Sequence, residues 1–227
     1  MVSPVLLALD YPDLKQARSM ATNMAQHVAG FKVGLELILA EGAHSIGEVA
    51  SIGLPVFADV KLHDIPNTVA GATRAVAGWG ARWVTVHGVG GGEMIEAAVE
   101  GFESAGGPTD GVLVVTVLTS LDDLSLVETG VSDDVRGQVA RITSLAGRSG
   151  AGGVVCPPNE VGTAKTAAGE LTVVTPGIRG GGSHHDQKLV TTPKAALEAG
   201  ADYLVVGRAV TASPDPVAAL TSLMGAS

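Results

Sequence analysis

Short apolar runs alternate with longer amphipathic runs from one end of this 227-residue chain to the other, and the pattern repeats eight times. The short runs are rich in Val, Leu and Ala, which suits strands buried on both faces, and the longer runs have helical periodicity. Repeated strand–helix units predict a parallel sheet. The length and the eight units favour a single α/β domain with a (β/α)8 TIM-barrel fold, with a doubly wound open sheet as the alternative.

The predicted elements cover the chain without a linker, a charge block or a change of composition that would divide it. Strands are expected at Val5–Asp10, Phe31–Leu35, Val56–Lys61, Trp83–His87, Val112–Leu118, Gly153–Cys156, Thr172–Pro176 and Tyr203–Val206. Helices are expected at Leu14–Val28, Ile38–Ser51, Thr68–Trp79, Glu93–Glu103, Asp134–Ser149, Glu160–Ala168, Pro193–Ala199 and Pro216–Met224. We therefore expect one domain over residues 1–227.

Composition narrows the possible partners. The chain has 14 Lys and Arg against 23 Asp and Glu, and the resulting net charge of −9 disfavours nucleic acid and anionic membranes as partners. The single cysteine, Cys156, rules out an intrachain disulfide and is most simply a small core residue. The first apolar run is too short for a signal peptide, and no apolar run is long enough to span a membrane, so we expect a cytoplasmic protein.

Polar and charged residues collect where the predicted strands end. In a (β/α)8 barrel these carboxyl ends and the loops after them form the active-site face. The sequence therefore predicts a functional site there. Its candidate residues are Asp10, Lys32, Asp59, Lys61, His87, Thr119, Arg179 and Arg208.

Asp59 and Lys61 are two positions apart on a predicted strand, so their side chains should point to the same side of it. A purely structural ion pair is the alternative interpretation. Buried ion pairs are poor stabilisers compared with apolar residues, and we therefore favour a functional role for this pair at the mouth of a barrel.

Several neighbouring residues have simpler interpretations on local grounds. Asp64 precedes a predicted helix and is as well explained as a helix cap as by a functional role, and Asn67 and Thr68 are better explained as caps. Lys32 can extend its ammonium to solvent from a strand, and Asp10 can belong to a turn.

The loops after the last two predicted strands suit a phosphate group. Arg179 is followed by a glycine-rich segment and Gln187, and Gly207 precedes Arg208. Glycine lets backbone N–H groups approach an oxyanion and arginine offers two parallel donors, so we favour phosphate binding over exposed loop arginines. We expect no metal site, because the adjacent His184 and His185 diverge and no carboxylate spacing supports them.

These motifs together resemble the orotidine 5′-phosphate decarboxylase family, and the long central one is highly specific. The matching segments are Leu7–Asp10, Phe31–Gly34, Phe57–Val69, Val115–Ser120, Pro176–Arg179, Asp186–Gln187 and Tyr203–Ala209. The resemblance implies a cofactor-free decarboxylation of orotidine 5′-phosphate to uridine 5′-phosphate in de novo pyrimidine biosynthesis. The chain departs from the family in the short, glycine-rich segment Gly180–Asp186, but Gln187 is present, and we therefore expect this loop to close over the phosphate.

The resemblance also implies roles for single residues. Lys61 would stabilise the developing carbanion and donate a proton to C6, in a catalytic set with Lys32, Asp59 and Asp64. In a homodimer, Asp64, Ile65 and Thr68 would reach the neighbouring subunit's site. Among the implied substrate contacts, Asp10 and Lys32 would lie at the ribose, Thr119 at the pyrimidine and Asp59 near the departing carboxylate. The implied phosphate contacts are Arg179, Gln187, Gly207 and Arg208.

Two other functions remain as alternatives. One is a magnesium-dependent sugar-phosphate decarboxylase or aldolase with a similar Asp-x-Lys-x-x-Asp core; such enzymes look to have an acidic metal ligand near the position of Lys32, where a lysine repels the cation. The other is a non-catalytic nucleotide-phosphate sensor, which would not require the complete set of charged residues.

Overall fold

Eight parallel strands close into a barrel in the computed structural model, which describes residues 3–178 and 191–225. Each strand pairs with the next, and β8 pairs with β1 through Leu6 and Val205, so the barrel prediction is confirmed and the open-sheet alternative is wrong. The strands are β1 (Val5–Ala8), β2 (Gly30–Gly34), β3 (Val56–Leu62), β4 (Trp83–His87), β5 (Val112–Val115), β6 (Gly153–Val155), β7 (Thr172–Thr175) and β8 (Tyr203–Val206).

Helices follow the strands and surround the barrel. They are α1 (Leu14–Met24), α2 (Leu35–Glu41), α3 (His44–Ala50), α4 (Pro66–Gly78), α5 (Gly92–Glu103), α6 (Asp123–Glu128), α7 (Val135–Arg148), α8 (Val161–Ala167), α9 (Pro193–Glu198), α10 (Arg208–Thr211) and α11 (Pro216–Gly225). The helix predicted over Ile38–Ser51 is two helices, because Gly42 ends α2 with a φ of 87°. The short helices α6 and α10 were not predicted.

The two ends of the barrel interior differ in chemistry. Leu6, Phe57 and Trp83, which lie near the amino-terminal ends of their strands, belong to an apolar cluster. Trp83 and Tyr203, each the first residue of its strand, pack with ring centroids 5.2 Å apart. Since apolar side chains cluster at this amino-terminal end, polar chemistry is confined to the carboxyl end.

The larger core lies between the outside of the barrel and the helices. It joins outward-facing strand residues such as Leu7 and Val84 to buried helix residues such as Met24, Ile95 and Ile142. Cys156 is buried in this core, as the sequence predicts. Within residues 3–178 and 191–225, no helix is long and apolar enough to cross a membrane.

Candidate active site

Four charged side chains from β2, β3 and the segment that follows β1 form a continuous series at the carboxyl end of the barrel. Lys32 Nζ lies 2.7 Å from Asp10 Oδ1 and 3.9 Å from Asp59 Oδ2. Lys61 Nζ lies 2.8 Å from Asp59 Oδ1. The predicted meeting of Asp59 and Lys61 is therefore confirmed, and the signs of the charges alternate along the series Asp10, Lys32, Asp59 and Lys61.

The two middle members of the series are enclosed and its two ends are more open. The side chains of Lys32 and Asp59 are 11% and 14% exposed, whereas those of Lys61 and Asp10 are 30% and 42% exposed. The interpretation that Lys32 extends into solvent is wrong, because its ammonium is held between two carboxylates. Charges enclosed in this way are costly to bury and stabilise a fold poorly, which favours a role in binding or chemistry.

The backbone at Lys61 departs from regular strand geometry. Its φ is 49°, the only positive φ at a non-glycine residue in the described part of the chain, and the pairing of β3 with β4 shifts register between Ala58 and Leu62. A non-glycine residue in this region costs of order 1–3 kcal/mol and is typical of active sites. The side chains of Asp59 and Lys61 thus lie on the same side of β3, as predicted. The irregular geometry of the strand between them was not predicted by their spacing.

Thr85 is a site residue that the sequence analysis missed. Its buried hydroxyl accepts a hydrogen bond from the Lys61 backbone N–H at 2.8 Å and donates one to Asp59 Oδ1 at 3.1 Å. The one available signal was a hydroxyl residue between two valines on a strand, which is too common to single out a position.

Gly34 leaves room for the Lys32 ammonium. A Cβ atom added at Gly34 would lie 2.7 Å from Lys32 Nζ and 3.2 Å from Asp10 Oδ1. The first distance is too short for a carbon atom and the second is tight, so a side chain at this position would push the flexible end of Lys32 from its place.

Asp64 and its neighbours lie apart from this series. Asp64 is exposed, and its Oδ1 accepts a hydrogen bond from the Ile65 backbone N–H at 2.7 Å. The interpretation of Asp64 as a helix cap is wrong, because Ile65 occupies the cap position of α4; Asn67 and Thr68 lie inside the first turn and are not caps either. Among the described residues, no lysine or arginine forms an ion pair with Asp64.

The remaining predicted contacts follow β5 and β8. Thr119 is half-buried after β5. Gly207 is half-buried at the end of β8, where an added Cβ would lie 3.9 Å from Asp10 Oδ2, and Arg208 is exposed at the start of α10. Arg179 and Gln187, with the segment Gly180–Asp186, lie outside the described residues.

Two histidines lie beside the charged series. The rings of His63 and His87 are 5.8 Å apart. Burial lowers the pKa of His87 below its ordinary value, the electrostatic influence of the neighbouring His63 and Lys61 lowers it further, and Asp59 opposes them. His87 is therefore neutral at neutral pH. In contrast, burial raises the pKa of Cys156 to about 12, which leaves this thiol unreactive.

This arrangement suits the stabilisation of negative charge beside a proton donor. The two ammonium groups are fixed by carboxylates in a partly enclosed site, so they need no reorganisation when charge develops on a bound molecule. Within the described part of the chain, no group of three or more His, Cys, Asp or Glu side chains is placed to hold a metal ion.

The comparisons with known proteins agree with one another. A family model described as "Orotidine 5′-phosphate decarboxylase / HUMPS family" matches residues 3–223. Proteins named orotidine 5′-phosphate decarboxylase from Anaeromyxobacter sp. (strain K) and Thermobifida fusca (strain YX) are 46% and 44% identical to this chain. These matches cover 96% of the chain and 96% of the first protein, and 98% of the chain and 95% of the second.

A solved structure is also similar over its full length. The crystal structure of orotidine 5′-phosphate decarboxylase from Lactobacillus acidophilus superposes with a TM-score of 0.84 at 35% identity. The match covers 98% of this chain and 98% of that one.

Proposed function

This chain belongs to the orotidine 5′-phosphate decarboxylase / HUMPS family, and from that premise we propose that it converts orotidine 5′-phosphate to uridine 5′-phosphate and CO2 in pyrimidine biosynthesis. The observation that carries the proposal is the ion-paired series of Asp10, Lys32, Asp59 and Lys61. We propose that it acts as a cytoplasmic enzyme of one domain.

In the proposed reaction, the bond between C6 of the pyrimidine and its carboxylate breaks and CO2 leaves. The electron pair of that bond stays on C6. The Lys61 ammonium stabilises this charge and then transfers a proton to C6, which gives the product and a neutral lysine that solvent reprotonates. Because Asp59 lies 2.8 Å from this ammonium, its charge favours the protonated lysine before each turnover.

The other members of the series bind and orient the substrate in this proposal. Asp10 and Lys32 contact the ribose, and Thr119 contacts the pyrimidine. Gly207 and Arg208, with Arg179 and Gln187, hold the phosphate. Phosphate binding far from the breaking bond lowers the barrier by holding the substrate in its reactive position.

A second subunit completes the site in this proposal. Asp64 has no ion-pair partner among the described residues of its own chain, and it is exposed together with Ile65 and Thr68. Large apolar side chains are also exposed after three adjacent strands, β2, β3 and β4, which favours burial against another copy. These are Leu35, Leu39, Ile65 and Val89, with exposures of 47%, 80%, 66% and 56%.

The magnesium-dependent alternative fits the site poorly. A divalent cation between Asp10 and Asp59 would have to displace the Lys32 ammonium, which lies 2.7 Å from Asp10 and 3.9 Å from Asp59. Two positive charges in this space repel each other, so the residues present disfavour a metal here.

Ultraviolet absorbance tests the proposal directly. Purified protein is mixed with orotidine 5′-phosphate in the presence of EDTA, and the loss of the substrate band is followed. We expect turnover that EDTA leaves unchanged. A requirement for Mg²⁺ would support the metal-dependent alternative, and binding of the nucleotide without turnover would support a sensor; either result overturns the proposal.

A further inference from the structure

One buried hydroxyl connects the backbone of Lys61 to the side chain of Asp59. Thr85 lies on β4 and is fully buried. Its Oγ1 accepts from the Lys61 N–H at 2.8 Å and donates to Asp59 Oδ1 at 3.1 Å. A hydroxyl has a single hydrogen to donate, and here it is committed to the carboxylate.

The strand irregularity explains why the Lys61 N–H needs this partner. Ala58 pairs with Val84 and Leu62 pairs with Val86, so β3 advances four positions (62 − 58) while β4 advances two (86 − 84). Asp59 and Lys61 both lie in the part of β3 that contains these additional residues. Such bulges redirect side chains beside active sites and leave backbone groups without partners in the sheet. Thr85 supplies the missing acceptor at the residue whose φ is 49°.

The same hydroxyl also orients the Asp59 carboxylate. Oδ1 receives hydrogen bonds from Thr85 and from Lys61 Nζ, at 3.1 and 2.8 Å. Oδ2 is the oxygen that faces Lys32 Nζ at 3.9 Å. Because Thr85 limits rotation of the carboxylate, each oxygen stays directed at a different lysine.

We infer that Thr85 is a positioning residue for the decarboxylation, which holds Lys61 and Asp59 in register with each other without touching the substrate. This inference rests on the proposed function. It assigns a role in turnover to a residue that a purely structural interpretation would treat as a satisfied hydroxyl in the barrel interior.

The test compares Thr85→Val, Thr85→Ser and the wild-type protein. Valine keeps the volume but removes the hydroxyl, which leaves the Lys61 N–H without its acceptor and frees the Asp59 carboxylate. We expect kcat to fall about 100-fold while KM changes less than about threefold, because the geometry of the reacting groups is lost rather than substrate binding. Thr85→Ser restores the hydroxyl and should keep kcat within about fivefold of wild type.

A matched control is available in α7. Thr143 is also fully buried, and its hydroxyl has no hydrogen-bond partner among the residues that the structure describes. Thr143→Val therefore makes the same chemical change away from the site, and it should leave kcat unchanged. Affinity for uridine 5′-phosphate, measured by calorimetry, should be similar in all these variants.

The outcomes separate this inference from the proposed function. A wild-type protein without decarboxylase activity overturns the proposed function and this inference with it. An active wild type with equal kcat in Thr85→Val overturns the inference alone, as does a Thr85→Ser variant that is no better than Thr85→Val. If Thr85→Val does not fold, Thr85→Ala removes the same hydroxyl; failure of both to fold would assign Thr85 a structural role and contradict the inference.

Discussion

The charged series at the ends of β1–β3 and the predicted phosphate end after β8 differ in how enclosed their side chains are. On the first side, Lys32 and Asp59 are enclosed and held by ion pairs between 2.7 and 3.9 Å. On the other side, Arg208 is exposed at the start of a short helix and Gly207 is half-buried.

This difference fits two kinds of task. Charges that stabilise a reactive state are most effective when they are fixed before the substrate arrives, because no free energy is then spent on reorganisation. Groups that bind a remote phosphate can lie exposed, because they contribute binding energy and do not take part in the reaction. We therefore expect substitutions on the two sides to affect different kinetic parameters.

The largest losses are expected for Lys61 and for Asp64, which would extend the charged side across a dimer. Lys61→Ala homodimers should lose activity at least about 10,000-fold, and Asp64→Ala homodimers at least about 1000-fold. When the two are unfolded together and refolded as a mixture, half of the dimers are mixed and each mixed dimer has one intact site. Activity should then return to about a quarter of wild type.

A mixture of Lys61→Ala and Asp59→Ala is the matched control. These two side chains meet within one chain, at 2.8 Å, so every site in a mixed dimer keeps one defect and activity should not return. No recovery in the Asp64 mixture, or equal recovery in both mixtures, would contradict the shared site.

Arg208 tests the phosphate side. Arg208→Ala should lower kcat/KM for orotidine 5′-phosphate about 100-fold, because a charge-assisted contact to the phosphate is lost. Activity on orotidine, which lacks the phosphate, should be unchanged. Arg136→Ala, an exposed arginine on α7, is the control. An equal decrease in kcat/KM for both substrates would contradict a role for Arg208 in phosphate binding.

Gly34 tests how tightly the charged side is packed. The methyl group of Gly34→Ala would displace the Lys32 ammonium, the flexible end of its side chain, from its position 2.7 Å away. We expect kcat/KM to fall about 10-fold with little loss of stability. Gly162→Ala, in open space on α8, should leave activity unchanged and raise the free energy of unfolding by about 0.5–1 kcal/mol. A Gly34→Ala variant with wild-type kinetics would mean that Lys32 tolerates displacement.

The smallest effect concerns pH and His87. Burial lowers the pKa of this histidine below its ordinary value of 6.5, so the unfolded chain takes up the proton more readily than the folded one. The contribution of neutral His87 to the free energy of unfolding is fully present above pH 6.5. It is lost as the pH falls from 6.5 towards the lowered pKa of the folded state. Urea unfolding at pH 7.5 and 5.5 should show a smaller pH effect in His87→Gln than in wild type; an equal or larger effect in the variant would contradict this.

The sequence predicted the barrel well because its signal is local and repeated. Each strand is a short apolar run, and closure is confirmed by the pairing of β1 with β8. The split of the predicted helix Ile38–Ser51 was missed because a glycine inside a helical pattern does not reveal its φ, which at Gly42 is 87°. The α4 cap was missed because several residues near Asp64 satisfy the same local rule.

The site was only partly predictable for a related reason. Asp59 and Lys61 are close in sequence, so their meeting follows from spacing. The ion pair of Lys32 with Asp10 depends on the pairing of β1 with β2, and the bonds of Thr85 depend on a register shift between β3 and β4. Neither the strand pairing nor the register shift can be predicted from the local sequence.

The most direct test of the central claim is Lys61→Ala. Its decarboxylation of orotidine 5′-phosphate is followed by ultraviolet absorbance, with circular dichroism to confirm the fold and calorimetry to measure affinity for uridine 5′-phosphate. We predict a decrease in turnover of at least about 10,000-fold in a folded protein that still binds nucleotide, because both the stabilising charge and the proton donor are removed. Turnover within about tenfold of wild type would contradict the assignment of Lys61 as the proton donor.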